Sequence, residues 1–237
     1  MTVVLGLDTA TRDAAVAVTR DGEVLREVAV SPGEGGRPRH SQVLLLEIER
    51  SVDAAGGWDA VERIAVGVGP GSFTGLRIGI ATARALSQAR RIPLAAVVTL
   101  AALARAISEH AGDDRPALPV LDARRGEAFA AVYGPDGSEL QAPLVAPPRN
   151  LAALIAGLDP APLAAGDGAL RFAAELEAGG ATVAPPQEPV HRVAARHVCG
   201  LGAAAPEAAA PSEVEPLYLR PPDAKRWLER DRDVRRG

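Results

Sequence analysis

The sequence predicts an α/β protein made of two lobes that each run βββαβα. Three observations carry this. Residues 4–30 and 118–145 follow one pattern: an extended run ending in aspartate, a turn, then two extended runs joined through Asp-Gly. Leu7-Asp8 matches Leu121-Asp122 and Ala17-Val18 matches Ala131-Val132 at a constant offset, with the second Asp-Gly turn one residue later. After each repeat, helically spaced apolar residues alternate with short extended runs. One three-strand meander is common, but two with an aspartate at the same place indicate a duplicated unit.

In the first copy, the run 4–8 enters a turn at 9–12, and 14–19 is extended up to Asp21-Gly22, a hairpin signal, before the run 24–30. Residues 40–52 read as a helix with Val43, Leu44, Leu45, Leu46, Ile48 and Val52 on more than one face. The run 64–68 is a strand, a glycine-rich turn follows, and small and aliphatic residues carry a helix to about residue 90. A short strand at 94–98 and a helix at 100–107 complete the copy. The second copy has strands at 118–122, 127–133 and 139–145, with turns at 123–126 and at Asp136-Gly137. Helices at 150–156 and 169–177 flank a short apolar piece near Leu163, and 181–183 is extended. Pro185, Pro186 and Pro189 mark a break before a last helix over 190–201. The lobes are assigned to residues 1–105 and 106–189, with a helix at about 190–203 packing back on the first. The charged tail 221–237 is expected to be poorly ordered. Two such lobes across a cleft describe the actin-like ATPase and sugar-kinase (ASKHA) architecture.

A chain of 237 residues, 47% hydrophobic and 24% charged, is long enough for one large domain or two small ones. Its net charge of -4 argues against bulk attraction to nucleic acid, and 3% aromatic residues make a poor stacking platform. One cysteine, Cys199, excludes an internal disulfide. The N-terminal residues lack the basic region of a signal peptide, and no apolar run approaches the ~20 residues of a membrane helix. The expectation is a soluble, cytoplasmic protein.

The residues with most chemical content are Gly67-Val68-Gly69-Pro70-Gly71-Ser72-Phe73-Thr74-Gly75-Leu76-Arg77. A glycine-rich strand-to-helix turn aims backbone N–H groups at an anion, where the helix dipole favours negative charge. The competing reading is a tight turn that needs glycine for its own packing. No Lys-Ser or Lys-Thr closes the segment, so it is not a Walker A loop, and Lys225 is the chain's one lysine. Nor is it a dinucleotide fingerprint, because Ser72 occupies the third glycine position. The candidate nucleotide or anion cleft comprises Asp8, Gly69, Gly71, Ser72, Thr74, Arg77 and Asp122. In the actin-like architecture Asp8 and Asp122 would face phosphates or their metal. An Asx turn is the alternative for Asp8.

The strings LGLDTAT, GVGPGSFTGLRIGIATARALS, LDARRGEAFAAVY and EPLYLR, spread from Leu5 to Arg220, together resemble the TsaB (YeaZ) family of tRNA threonylcarbamoyladenosine biosynthesis proteins. The resemblance implies a non-catalytic scaffold or activator subunit. Its partners would be a TsaD-like paralogue, which transfers threonylcarbamoyl to adenosine 37 of tRNAs reading codons that start with A, and a TsaE-like ATPase. It implies tRNA contact through the complex, a homodimer in isolation, and no cofactor of its own, with ATP or ADP bound weakly or at the complex interface.

TsaD-like chains carry a His-x-x-x-His metal pair on the helix after the short strand that follows the glycine-turn helix. Here that stretch, residues 96–104, offers no histidine, carboxylate or cysteine, and aliphatic side chains have no lone pair for a metal. His40, His110, His191 and His197 are scattered, so neither a catalytic residue nor a metal site is assigned. The predicted partner surface comprises His40, Val43, Leu44 and Ile48 on one helix and the four-residue stripe Gly75, Gly79, Ala83 on the next. Packing inside the chain competes as the reason for that stripe. An enzyme reading, a nucleotide-dependent phosphotransferase or ATPase using Asp8, Asp122 and the glycine turn, remains the alternative function; a peptidase is third. The basic residues of 224–237 are read as a solvated end, with contact to tRNA phosphates as the alternative.

Overall fold

The computed structural model describes residues 2–220, so the tail 221–237 lies outside the described residues. The first lobe contains β1 (Val3–Asp8), β2 (Ala14–Arg20), β3 (Glu23–Val30), α1 (His40–Ala54), β4 (Arg63–Gly67), α2 (Phe73–Arg90) and β5 (Leu94–Val97). The second contains α3 (Thr99–Ala111), β6 (Ala117–Arg124), β7 (Glu127–Tyr133), β8 (Glu139–Ala146), α4 (Pro148–Ile155), β9 (Leu163–Ala165), α5 (Asp167–Arg171), α6 (Ala173–Ala178) and β10 (Thr182–Val183). The chain then returns to the first lobe in α7 (Ala195–Ala204).

Two five-stranded sheets have the orders β3-β2-β1-β4-β5 and β8-β7-β6-β9-β10. The pairing repeats: β1 is antiparallel to β2 and parallel to β4, and β6 is antiparallel to β7 and parallel to β9. This is the duplicated actin-like arrangement that the repeated meanders predict. Asp21 and Gly22 both take positive φ, +51° and +89°, as the primed hairpin turn requires.

Both faces of each sheet are covered, which is why β1 is apolar and buried along its length. Val3, Leu5 and Leu7 face α1 and α2, while Val4 and Ala17 on the other face meet α7. In the second lobe Leu121 and Phe129 face α3, and Val120 and Ala130 face α4 and α6. The helices α3 and α7 touch each other between the two sheets.

Three expectations need correction. The helix predicted over 190–201 begins late: 189–191 form a 3-10 turn, and Ala194, extended at ψ +121°, delays the helix to Ala195. The helix predicted over 169–177 is interrupted at Phe172, whose ψ of +27° separates α5 from α6. Finally, α3 packs on β6, β7 and β9, so the change of lobe falls near residue 98 and not at 105. Among the described residues, no helix is long and apolar enough to cross a membrane.

Candidate inter-lobe cleft

Asp8, at the end of β1, is only 1% exposed. One carboxylate oxygen accepts the Ala10 N–H at 2.7 Å, and the other accepts the Thr99 hydroxyl at 2.7 Å. Thr99 begins α3, and its backbone N–H donates to the Gly69 carbonyl at 2.8 Å. Its hydroxyl oxygen also accepts the Gly69 N–H at 3.1 Å. Gly67 covers the carboxylate from β4; a Cβ there would lie 1.8 Å from it. Burial pushes the Asp8 carboxyl from an ordinary 3.8 up to about 6, opposed by the two donated hydrogen bonds. Asp8 therefore makes the local turn and ties β1 to α3, and it does not line the cleft, contrary to its assignment there.

The glycine turn is packed just as closely. Ser72 N–H donates to the Ala10 carbonyl at 2.7 Å, and Ser72 Oγ caps α2 by accepting the Gly75 N–H at 3.3 Å. A Cβ at Gly71 would sit 2.3 Å from the Ala10 carbonyl, one at Gly75 2.0 Å from the Thr9 carbonyl, and one at Gly79 2.2 Å from the Thr9 hydroxyl. That hydroxyl donates to the Gly75 carbonyl at 2.7 Å. His40 is buried beside Gly75, with Nε2 3.1 Å from the Asp13 carbonyl, and burial lowers its pKa. Gly75 and Gly79 thus receive the chain's own β1–β2 turn, Ala83 lies in the first-lobe core, and the Gly69 N–H and carbonyl are both bonded to Thr99.

The predicted partner surface is corrected on the same grounds. His40, Val43, Leu44, Ile48, Gly75, Gly79 and Ala83 are all buried within the lobe, because those positions on α1 and α2 face its sheet, its turn or each other. What α1 turns outward is Leu45, 60% exposed, and Leu46, 51% exposed.

The lobes enclose a cleft of about 730 Å3. Gly71, Ser72, Thr74, Arg77 and Asp122 line it. The Arg77 guanidinium lies 3.9 Å from the Phe73 ring centroid and donates Nε–H to the Tyr218 hydroxyl at 3.3 Å, while Phe73 and Tyr218 stack at 5.3 Å. A cation in a helix's first turn opposes the dipole, and this aromatic pair supplies its compensation. Across the cleft, Asp122 accepts from Arg124 Nη1 at 2.9 Å and Arg171 Nη1 at 2.8 Å. Its own N–H donates to Asp167, whose carboxyl burial pushes up. The two predicted carboxylates therefore do not meet: one is enclosed, and the other is neutralised by two guanidinium groups.

Nor do the residues present fit a divalent metal bound by imidazole, thiolate and carboxylate. At the start of α3, Leu100, Ala102 and Leu103 are core residues and Thr99 is committed to Asp8. Among the described residues, no group of three or more His, Cys, Asp or Glu side chains converges. Sequence reasoning missed Thr99, Phe73, Tyr218, Arg124, Arg171 and Asp167. Of these, Phe73, Arg124 and Tyr218 lie within the strings that carry the family resemblance, and Asp167 opens the helix after β9 as Phe73 opens the one after β4.

Comparison with known proteins agrees with the geometry. The family model "TsaD: tRNA N6-adenosine threonylcarbamoyltransferase" matches residues 28–159, more than half of the chain, which places the fold in the class of TsaD-type actin-like proteins. The chain is similar to the tRNA threonylcarbamoyladenosine biosynthesis protein TsaB of Escherichia coli, 35% identical over 134 residues, a match spanning 56% of this chain and 55% of that protein. An uncharacterized protein of Mycobacterium bovis is 36% identical over 227 residues, 95% of each chain. The solved structure of YeaZ from Pseudomonas aeruginosa superposes with a TM-score of 0.74 at 28% identity, covering 92% of this chain and 100% of that one. The chain belongs to the TsaB (YeaZ) family.

Two outcomes follow from this packing. Gly75→Ala forces a methyl group into the Thr9 carbonyl and is expected to lower stability by about 1–3 kcal/mol in urea unfolding. For Asp8, a folded pKa above the unfolded one means that the folded protein holds the proton more tightly. Its stabilising contribution is full below pH 3.8 and is lost as the pH rises through about 6. The whole difference is about 3 kcal/mol. Asp8→Asn is expected to remove that pH dependence and to match or exceed the parent at pH 7.5. Unfolding curves at pH 4.5 and 7.5 that shift equally in both proteins contradict the assignment.

Proposed function

We propose that this chain is a non-catalytic scaffold or activator subunit in the formation of the threonylcarbamoyl group on N6 of adenosine 37, in tRNAs reading codons that start with A. It pairs with a TsaD-like paralogue and a TsaE-like ATPase, meets tRNA through that complex, and forms a homodimer when alone. The observation carrying this reading is the start of α3, where hydrocarbon side chains and a threonine tied to Asp8 stand in the place of a metal-binding histidine pair. The phosphotransferase alternative asks for two free carboxylates on the cleft, and it is disfavoured by the enclosure of Asp8 and the double ion pair on Asp122.

A subunit that works by association needs an outward apolar surface, and the adjacent leucines of α1 supply one. Nucleotide affinity follows from the same cleft. With Asp122 held by two guanidinium groups and Asp167 engaged by the Asp122 N–H, the cleft is poorly equipped to hold a divalent ion, so any ATP or ADP binds weakly, and binding is indifferent to magnesium.

Reconstitution with the purified paralogue and ATPase tests the role. The chain alone is expected to leave tRNA unmodified, and activity is expected to return on mixing; modification by the isolated chain defeats the proposal. Leu45→Asp combined with Leu46→Asp is expected to weaken pairing by at least roughly 30-fold, the scale of an interface hot spot, while thermal unfolding stays near the parent because both side chains face solvent. Undiminished co-elution of that variant rejects this surface.

A further inference from the structure

We propose that residues 214–220 form a releasable strap across the inter-lobe cleft, with Arg220 as its latch on the second lobe. The lobes are joined covalently twice elsewhere, between β5 and α3 and between β10 and α7. The segment after α7 makes a third crossing. It runs along the first lobe, where Ala208 N–H donates to the Leu94 carbonyl at 3.0 Å and Arg84 Nη2 reaches the Ser212 and Val214 carbonyls at 2.8 and 2.7 Å. Val214 is buried in the first core, Leu217 packs against it, and Leu217 N–H donates to the Val68 carbonyl at 2.7 Å.

Two residues further on, the chain changes lobe. Leu219 packs on the second core. Arg220 pairs through Nη1 with Glu127 at 2.7 Å and through Nη2 with the Ala123 carbonyl at 3.0 Å, gripping the β6–β7 hairpin from both strands. Between them Tyr218 lies on Phe73 and Arg77, and all four residues 217–220 line the cleft.

The two ends are unequal. The first-lobe end rests on backbone hydrogen bonds and a buried valine. The second-lobe end rests on one leucine, one hydrogen bond to the Ala123 carbonyl and an ion pair whose side chains are 19% and 35% exposed. Partly exposed pairs are weak and screened by salt, so the strap releases at the Arg220 end first. Opening the lobes requires that release, whatever occupies the cleft and whether or not the chain acts as a scaffold.

Hydrogen exchange on the full chain, combined with an inter-lobe distance, tests this. Spin labels at Gln88→Cys on α2 and Glu175→Cys on α6 report the distance; Cys199 is buried, with its thiol pushed up to about 12, and stays unlabelled. Arg220→Ala and Glu127→Ala are each expected to raise exchange of the Leu217 amide, which donates to the Val68 carbonyl, roughly tenfold, to broaden the distance distribution toward longer values, and to abolish the increase that salt causes in the parent. The exchanged pair Arg220→Glu with Glu127→Arg is expected to restore protection. If Arg220→Ala does not fold, Glu127→Ala carries the test alone. Unchanged exchange in the folded variants overturns the proposal. So does faster exchange with an unaltered inter-lobe distance, since the latch would then hold only its own segment.

Discussion

The whole first lobe depends on how closely the turn after β1 approaches α2. Thr9 and Ala10 sit against Gly71, Gly75 and Gly79 at separations that leave no room for a methyl group. Such proximity needs glycine in a helix, where it costs about 0.5–1 kcal/mol relative to alanine. In return, the Thr9 hydroxyl and the Ser72 amide find partners, and Asp8 is carried inward to Thr99. One packing choice thereby determines where α2 lies, why Asp8 is buried, and how β1 is joined to the helix between the sheets.

That choice also shapes the cleft. With Asp8 turned inward, the chemistry left there is arginine, aromatic rings and two carboxylates, Asp122 held by Arg124 and Arg171 and Asp167 accepting the Asp122 N–H. Such a cleft suits an anion or a planar group better than a divalent ion, because the charge a metal would seek is already compensated. The segment ending at Arg220 narrows it further and adds a non-covalent link between two lobes that otherwise meet mainly through α3 and α7.

The fold was legible because its signals are local. Asp-Gly turns, alternating apolar runs and a meander repeated at a constant offset all lie within short stretches of chain, and the strands match within a residue or two. The misplaced boundaries have local causes that periodicity cannot register, such as the extended Ala194 ahead of α7 and the non-helical Phe172. At the site, Ser72, Thr74, Arg77 and Asp122 were legible as cleft residues. The role of Asp8 was not, since its partner Thr99 is 91 positions away. The outward residues of α1 were equally hidden among four consecutive apolar positions, because a helix lying between a sheet and another helix can bury either side.

The sequence by itself determined the α/β class, the duplication and the order of elements, since each rests on composition and spacing along the chain, and its motif strings carried the family resemblance. Only the tertiary structure decided which carboxylate meets solvent, which leucines face outward, and that the last described residues cross from one lobe to the other. Those outcomes depend on distances between segments far apart in the chain, and burial and hydrogen bonding act through space and not along the sequence.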